Sequence, residues 1–128
     1  MMNKYSDLTA RILLATIFFM AGFSKITAYA GTQGYMESQG VPGILLPLVI
    51  GLEIIAPLLL VIGWMTRYAA FSLAGFSVIS AFLFHLNFGD QMQTIMFMKN
   101  LAIAGGLLLL VTRGAGKLSF DAKNAVIQ

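Results

Sequence analysis

The chain has no cysteine among its 128 residues. That absence excludes a disulfide framework, a thiol relay, a cysteine-ligated zinc and an iron–sulfur cluster. A membrane thiol oxidase of the dithiol type goes with them. Histidine occurs once, as His85, and cannot supply both axial ligands of a bis-histidine haem. Charge is scarce as well: 10% of the residues are Asp, Glu, Lys or Arg, against roughly 25% in a soluble domain. The net charge of +3 comes from Lys and Arg scattered singly. They form no basic patch with interleaved aromatics, so no nucleic-acid partner is expected.

Apolar surface, by contrast, is abundant: 59% of the residues are hydrophobic, and the mean hydropathy is +0.86. A 13.8 kDa globule of this composition could not cover its own surface in water. Four bilayer-spanning helices of about 20 residues use roughly 80 residues, which suits this length with no separate soluble domain. Apolar runs lie at about 8–27, 44–64, 68–88 and 92–112, followed by a polar tail at 113–128. The short connections Met65-Thr66-Arg67 and Gly89-Asp90-Gln91 force neighbouring spans to run antiparallel. The expected architecture is an all-α, four-helix antiparallel membrane bundle forming one domain over residues 1–128.

The first run also has features of a signal peptide, because Lys4 precedes it and Ala28-Tyr29-Ala30 resembles a cleavage site. Asp7 and Arg11 intrude where a leader should be simple, so the run is read as a retained span. Residues 29–43 form the longest connection. Thr32 can cap a short interfacial helix ending near Gly40, with Tyr35 and Met36 dipping into the interface, and an irregular loop accounts for the segment equally well.

A charge within hydrocarbon costs a few kcal/mol, so each intramembrane ionisable residue needs a reason. On the first span Arg11, Ala15, Phe18, Gly22 and Lys25 recur at steps of four and three, a stripe that must face other helices. Glu53 and Lys99 lie at roughly 13 and 11 Å along the second and fourth spans, counted at 1.5 Å per residue from the same side. Matching depths predict a Glu53–Lys99 ion pair. Lys25 and His85, near the ends of the first and third spans, lean toward it. The small residues Ala70, Ala74, Ser77 and Ala81 form a stripe leading to His85, and Lys99, Ala102 and Gly106 form another on the fourth span; such stripes let helices approach closely. Asn100 lies about 100° round the helix from Lys99, and a separate partner is expected for it.

The polar set Lys25, Glu53, His85, Lys99 and Asn100 admits three readings: a register-fixing ion pair, a pocket for a quinone head or a small anion, or a proton or ion path. No metal site is expected. Met92, Met96 and Met98 have thioethers suited to Cu(I), but Met98 faces away from the other two and Met is a common apolar filler. Pro57 lacks an N–H and frees the Glu53 carbonyl from its helical bond, a place for a kink.

Arg11, the segment Ala21-Gly22-Phe23-Ser24-Lys25-Ile26, Gly40-Val41-Pro42, Gly51-Leu52-Glu53, Met98-Lys99-Asn100-Leu101 running to Gly105-Gly106, and Leu118-Ser119-Phe120-Asp121 together resemble the DoxX family of small four-helix membrane proteins. The likeness covers nearly the whole chain and is strongest to the short bacterial inner-membrane members. It places the family's motif positions at Arg11, Gly22, Lys25, Pro42, Glu53, Lys99, Asn100 and Asp121. Of these, Arg11, Gly22, Pro42 and Asp121, with Pro57, are expected to be structural. The resemblance implies a link to quinone-dependent redox and oxidative-stress complexes; other relatives act as cargo receptors or assembly chaperones.

Three functions follow as expectations. The first is a membrane subunit or accessory of a quinone-linked redox complex, with quinone as its candidate cofactor and a redox protein as its partner. The second is a non-enzymatic scaffold or assembly factor. The third is a small-solute or ion conduit. Catalysis by the chain alone is not expected, because no Ser or Cys nucleophile stands beside a base. The bilayer is a partner in every case, and homo-oligomerisation stays open.

Lys4, Arg11, Arg67, Arg113, Lys117 and Lys123 fall on one side of the spans, and Lys25 alone on the other. By the positive-inside rule both termini face the cytoplasm across the inner membrane, with residues 29–43 and the Asp90 turn outside. Topology reporters fused after Ser38 and after Gln128 should therefore report opposite sides; the same side for both would overturn the orientation.

Overall fold

The computed structural model describes residues 3–123. The last five residues of the polar tail, 124–128, lie outside the described residues. Six α-helices and one 3-10 turn follow in order: α1 (Asn3–Thr27), α2 (Tyr29–Ser38), the 3-10 turn (Gly43–Leu45), α3 (Leu46–Ile62), α4 (Thr66–Phe84), α5 (Gln91–Arg113) and the short α6 (Phe120–Lys123). Four segments, Lys4–Thr27, Gly43–Ile62, Thr66–Phe84 and Gln91–Arg113, are long and apolar enough to cross a membrane. They are the four expected spans, shifted by a few residues at their ends. The largest shifts are at the start of the first, whose helix begins at Asn3 rather than Leu8, and at the end of the third, which stops at Phe84 rather than Phe88.

Between the first two spans the chain forms a helix, α2, rather than an irregular loop. Thr32 does not cap it. The N-cap is Ala28, and the Thr32 hydroxyl donates to the Ala28 carbonyl at 2.8 Å from inside the first turn. The reason is that α1 barely stops: Ala28 N–H still bonds to the Ser24 carbonyl, at 3.0 Å, and only φ −115° and ψ 44° at Ala28 break the helix. No free N-terminus is left for a side chain to cap. Pro42 starts the 3-10 turn, and the N–H of Val41 before it bonds back to Met36.

The helices assemble as two tight pairs. α1 packs chiefly on α3, and α4 chiefly on α5. α3 and α4 join the pairs along one side, while α1 and α5 touch only sparingly on the other. The order round the bundle is therefore α1, α3, α4, α5, with α3 and α5 diagonal. Gly22 explains the closeness of the first pair: a Cβ there would lie 2.7 Å from Ile54 Cδ1 and 3.3 Å from Glu53 Cβ. The α4 stripe of Ala70, Ala74, Ser77 and Ala81 is buried throughout, as small residues at a helix interface should be. A continuous apolar core of Ala15, Phe18, Ala56, Leu60, Leu73, Leu107 and Leu110 fills the half of the bundle nearer the chain termini.

That end is closed by a polar clamp. The last carbonyls of a helix have no partner within it, and Arg11, wholly buried, supplies one: its guanidinium donates to Leu60 O at 2.8 Å, to Val61 O at 3.1 Å and to Leu118 O. Gly63 ends α3 with φ +80°, and its carbonyl accepts the Asp121 N–H at 2.8 Å. The Asp121 carboxylate accepts from the N–H groups of Met65, at 2.9 Å, and Thr66, at 3.0 Å. It caps α4 from the far end of the sequence, the role that a local Ser or Asp ordinarily has. Met65 is held there in the left-handed region at φ 51°.

No residue but glycine fits at 63, where a Cβ would sit 2.3 Å from Ser119 Cβ and 2.6 Å from an Arg11 nitrogen. Gly63→Ala should lower stability in detergent by about 2 kcal/mol or more, combining left-handed strain with displacement of the clamp. Thermal unfolding followed by circular dichroism measures it, and an unchanged midpoint would overturn the account.

Candidate functional site

Where the core ends, the four spans and α2 enclose a cavity of about 340 Å³. α1 contributes Ile17, Phe18, Ala21 and Lys25; α2 contributes Thr32, Tyr35 and Met36; α3 contributes Glu53. α4 adds Phe76, Ser77, Ser80 and Phe84, next to His85, and α5 adds Met96, Asn100 and Ile103. The cavity exists because the α1 and α4 faces turned toward it carry small residues at Ala21, Ser77 and Ser80, while α2 lies across its end. Tyr35 holds that helix down, its ring stacked on Phe84 at 5.5 Å between centroids.

The charged pair at the site is Lys25–Glu53, with Lys25 Nζ 2.8 Å from Glu53 Oε1. The Glu53 side chain is 4% exposed and that of Lys25 27%. This corrects the expected Glu53–Lys99 pair. Equal depth along two helices does not make them neighbours, and α5 lies diagonally across the bundle from α3. The close α1–α3 approach at Gly22 instead delivers Lys25, one turn further along the same stripe, onto Glu53. Lys99 is exposed, lies outside the cavity wall, and has no hydrogen bond or ion pair among the described residues. The expected Lys99–Ala102–Gly106 packing stripe is displaced with it: Lys99 and Ala102 are exposed, and the buried face of α5 carries Ala104, Leu107 and Leu110.

Asn100 takes the inward place expected of Lys99. Its amide donates to the Ser77 carbonyl at 3.2 Å, leaving a second N–H and the amide oxygen for another partner. His85 stands at the end of α4 with Nδ1 2.7 Å from Gln93 Oε1. An amide oxygen only accepts, so Nδ1 carries the proton, and Nε2 is the acceptor when the ring is neutral. Lys25, Glu53, His85 and Asn100 thus come together, and Lys99 does not. The sequence reading did not anticipate Ser80 or Gln93. Ser80 lies one turn beyond Ser77 on an otherwise apolar helix, a spacing that could have indicated it. Gln93 has no such signal, because it is placed by the fold of the connection from His85 to Asp90. Arg11 and Asp121 belong to the clamp at the other end of the bundle, and Pro42 and Pro57 do not line the cavity. Among the described residues no group of His, Asp and Glu could hold a metal ion.

The wall is apolar apart from this cluster, with one ammonium, one carboxylate and several neutral hydrogen-bonding groups. Such a site suits a small amphipathic molecule with both acceptors and donors on its polar end. Lys25→Met should destabilise the protein by about 2 kcal/mol or more by stranding the Glu53 carboxylate, with Lys25→Met/Glu53→Leu recovering most of the loss. Lys99→Met, which breaks no pair, should leave the melting temperature nearly unchanged. Detergent-solubilised melts of the three variants check the assignment; a Lys99→Met loss larger than that of Lys25→Met would reverse it.

The cavity and clamp residues can be set against known proteins. The DoxX family profile matches residues 6–86, which take in most of α1 and all of α2 to α4, with Arg11, Lys25, Glu53 and His85. The inner membrane protein YqjF of Escherichia coli (strain K12) is 52% identical over 94% of this chain and 95% of its own length. The inner membrane protein YphA of the same organism is 38% identical over 89% of this chain and 86% of its own. An uncharacterised protein of Haemophilus influenzae is 33% identical over 91% and 81%. No solved structure matches. These likenesses run through α5 as well, and a four-span bundle with both the clamp and the polar cavity is what this chain contributes as a member of the DoxX family.

Proposed function

We propose that the protein is an inner-membrane subunit or accessory of a quinone-linked redox or oxidative-stress complex, and that its cavity holds the head of a quinone. The observation that carries this reading is the cavity itself: about 340 Å³ of mostly apolar wall with a buried Lys25–Glu53 pair and an unsaturated Asn100 amide. A quinone has two carbonyl acceptors on a flat apolar ring, and Lys25 and Asn100 offer N–H donors to them. A quinol has hydroxyl donors, for which Glu53 and the Asn100 oxygen are acceptors. The inner-membrane names of the two Escherichia coli relatives support the location. The chain contains neither cysteine nor a second histidine, so the electrons belong to a partner protein and the role given to this chain is to bind and orient. A scaffold needs no polar cavity, and this favours the redox reading over an assembly factor.

The test is gentle purification from native membranes with quantification of bound quinone and of co-purifying proteins. The wild type should retain quinone, and Asn100→Leu should retain about tenfold less, the loss of one good hydrogen bond, while still melting cooperatively. A cavity filled only by phospholipid beside a stoichiometric partner would shift the function to scaffolding. Solute uptake by the isolated protein in liposomes would shift it to a conduit.

A further inference from the structure

The weakest seam of the bundle is the one between α1 and α5, and it lies along the cavity. Near the clamped end the two helices do meet: a Cβ at Gly106 would lie 3.5 Å from Leu14 Cδ2. Two turns further toward α2 on each helix, roughly 10 Å along, come Ala21 and Lys99. Seven residues bring each of them back to the same face of its helix, so they stand on the facing sides of α1 and α5. Yet they do not close the seam. Ala21 is small and lines the cavity, and Lys99 is exposed and unpaired among the described residues. Between these levels, Ile17 is 47% exposed while also lining the cavity. One turn beyond Lys99, Met96, 40% exposed, also lines the cavity from α5. Two such residues on either side of the one loose seam, one on α1 and one on α5, point to an opening between those helices.

We infer that the cavity opens sideways into the bilayer through a slot between α1 and α5, and that its ligand is a tailed amphiphile whose polar head sits at Lys25–Glu53 and Asn100 while its tail leaves through the slot. Three further features agree. The cavity is near the small end of ligand sites, which run from about 300 Å³ upward, and it holds a head but not a long tail. Its polar groups are at the inner end of the route, and the residues at the mouth, Ile17, Ala21, Met96 and Ile103, are apolar. Lys99, exposed on α5 beside the seam and unpaired among the described residues, lies about 12 Å into its span, where an unpaired ammonium costs a few kcal/mol unless polar groups pass it. At the other end α2 lies across the cavity, with buried Met36 in its wall and Tyr35, 45% exposed, stacked on Phe84. The inference rests on the cavity being a ligand site but not on the ligand being a quinone.

The chain's lack of cysteine makes the test clean. Ser80→Cys places a single thiol on the cavity wall. Purified protein in liposomes is treated with a long-chain N-alkyl maleimide dissolved in the bilayer, or with a sulfonated methanethiosulfonate in the water. Each rate is normalised to the rate on the detergent-denatured chain. The bilayer reagent should be faster by about tenfold or more, and a plug in the slot, Ala21→Trp, should slow it by about tenfold with little effect on the other. Ile103→Trp plugs from the opposite wall if Ala21→Trp does not fold. Equal normalised rates would place the opening on the aqueous side and overturn the inference, as would a bilayer rate unaffected by either plug. If the labelling pattern holds while no quinone co-purifies, the quinone reading falls and the slot stands.

Discussion

The guanidinium of Arg11 is the group on which one whole end of this molecule depends. An arginine with no exposure inside an apolar bundle has to find acceptors, and the acceptors nearest to hand are the orphan carbonyls that α3 leaves at its last turn. These carbonyls meet one terminal nitrogen of the guanidinium, while the buried Nε of Arg11 has no hydrogen-bond partner among the described residues. The third acceptor, at Leu118, meets the other terminal nitrogen and draws the chain after α5 back across the bundle. Once residue 118 is fixed, Asp121 falls against the α3–α4 turn and caps α4. Gly63 is the space in which all of this happens, since no side chain could share it with Arg11 and Ser119. One buried cation thus couples the first span, the second, the third and the tail.

The Lys25–Glu53 pair acts as a second pin on the same two helices, about four turns along α1 and two along α3 from the first. With Arg11 at one end and Lys25 near the other, α1 has little freedom to slide or rotate against α3. α4 and α5 are joined differently, by small-residue packing, by the Asn100–Ser77 bond and by edge-to-face contacts of Phe97 with Phe82 of α4 and with Phe88 of the connection, at 5.3 and 5.1 Å. The bundle is then two stiff pairs joined along one seam and loosely apposed along the other. A cavity between stiff halves persists without side chains collapsing into it. That is the condition for a preformed ligand site rather than a filled core.

Much of this was legible in the amino-acid sequence. Apolar run lengths mark all four spans. The 3.6-residue period finds the inward faces of α1 and α4, and an ionisable residue in hydrocarbon points to Arg11, Lys25 and Glu53 before any fold is known. What could not be read was angular. Depth along a helix is one coordinate, and Glu53 and Lys99 agree in it, but whether two spans are neighbours or diagonal is decided by packing that leaves no mark on either segment alone. The same gap exchanged the places of Lys99 and Asn100, adjacent in sequence and 100° apart in space. The more conspicuous charge was assigned inward, where the amide belongs. Gly63 had a local signal, a glycine closing an apolar helix, whereas the bond from Asp121 to the α4 amides joins residues 55 apart and more, and no local rule reaches it.

The capping of α4 by Asp121 also sets an order of events during synthesis. The two amides at the start of the third span need a carboxylate that is made only after the fourth span is complete. While α3 and α4 enter the bilayer, their turn has Gly63 and the Arg11 bonds to Leu60 and Val61, but not yet the Asp121 cap. The α3–α4 hairpin is complete only when Asp121, made after the fourth span, reaches the amides of Met65 and Thr66.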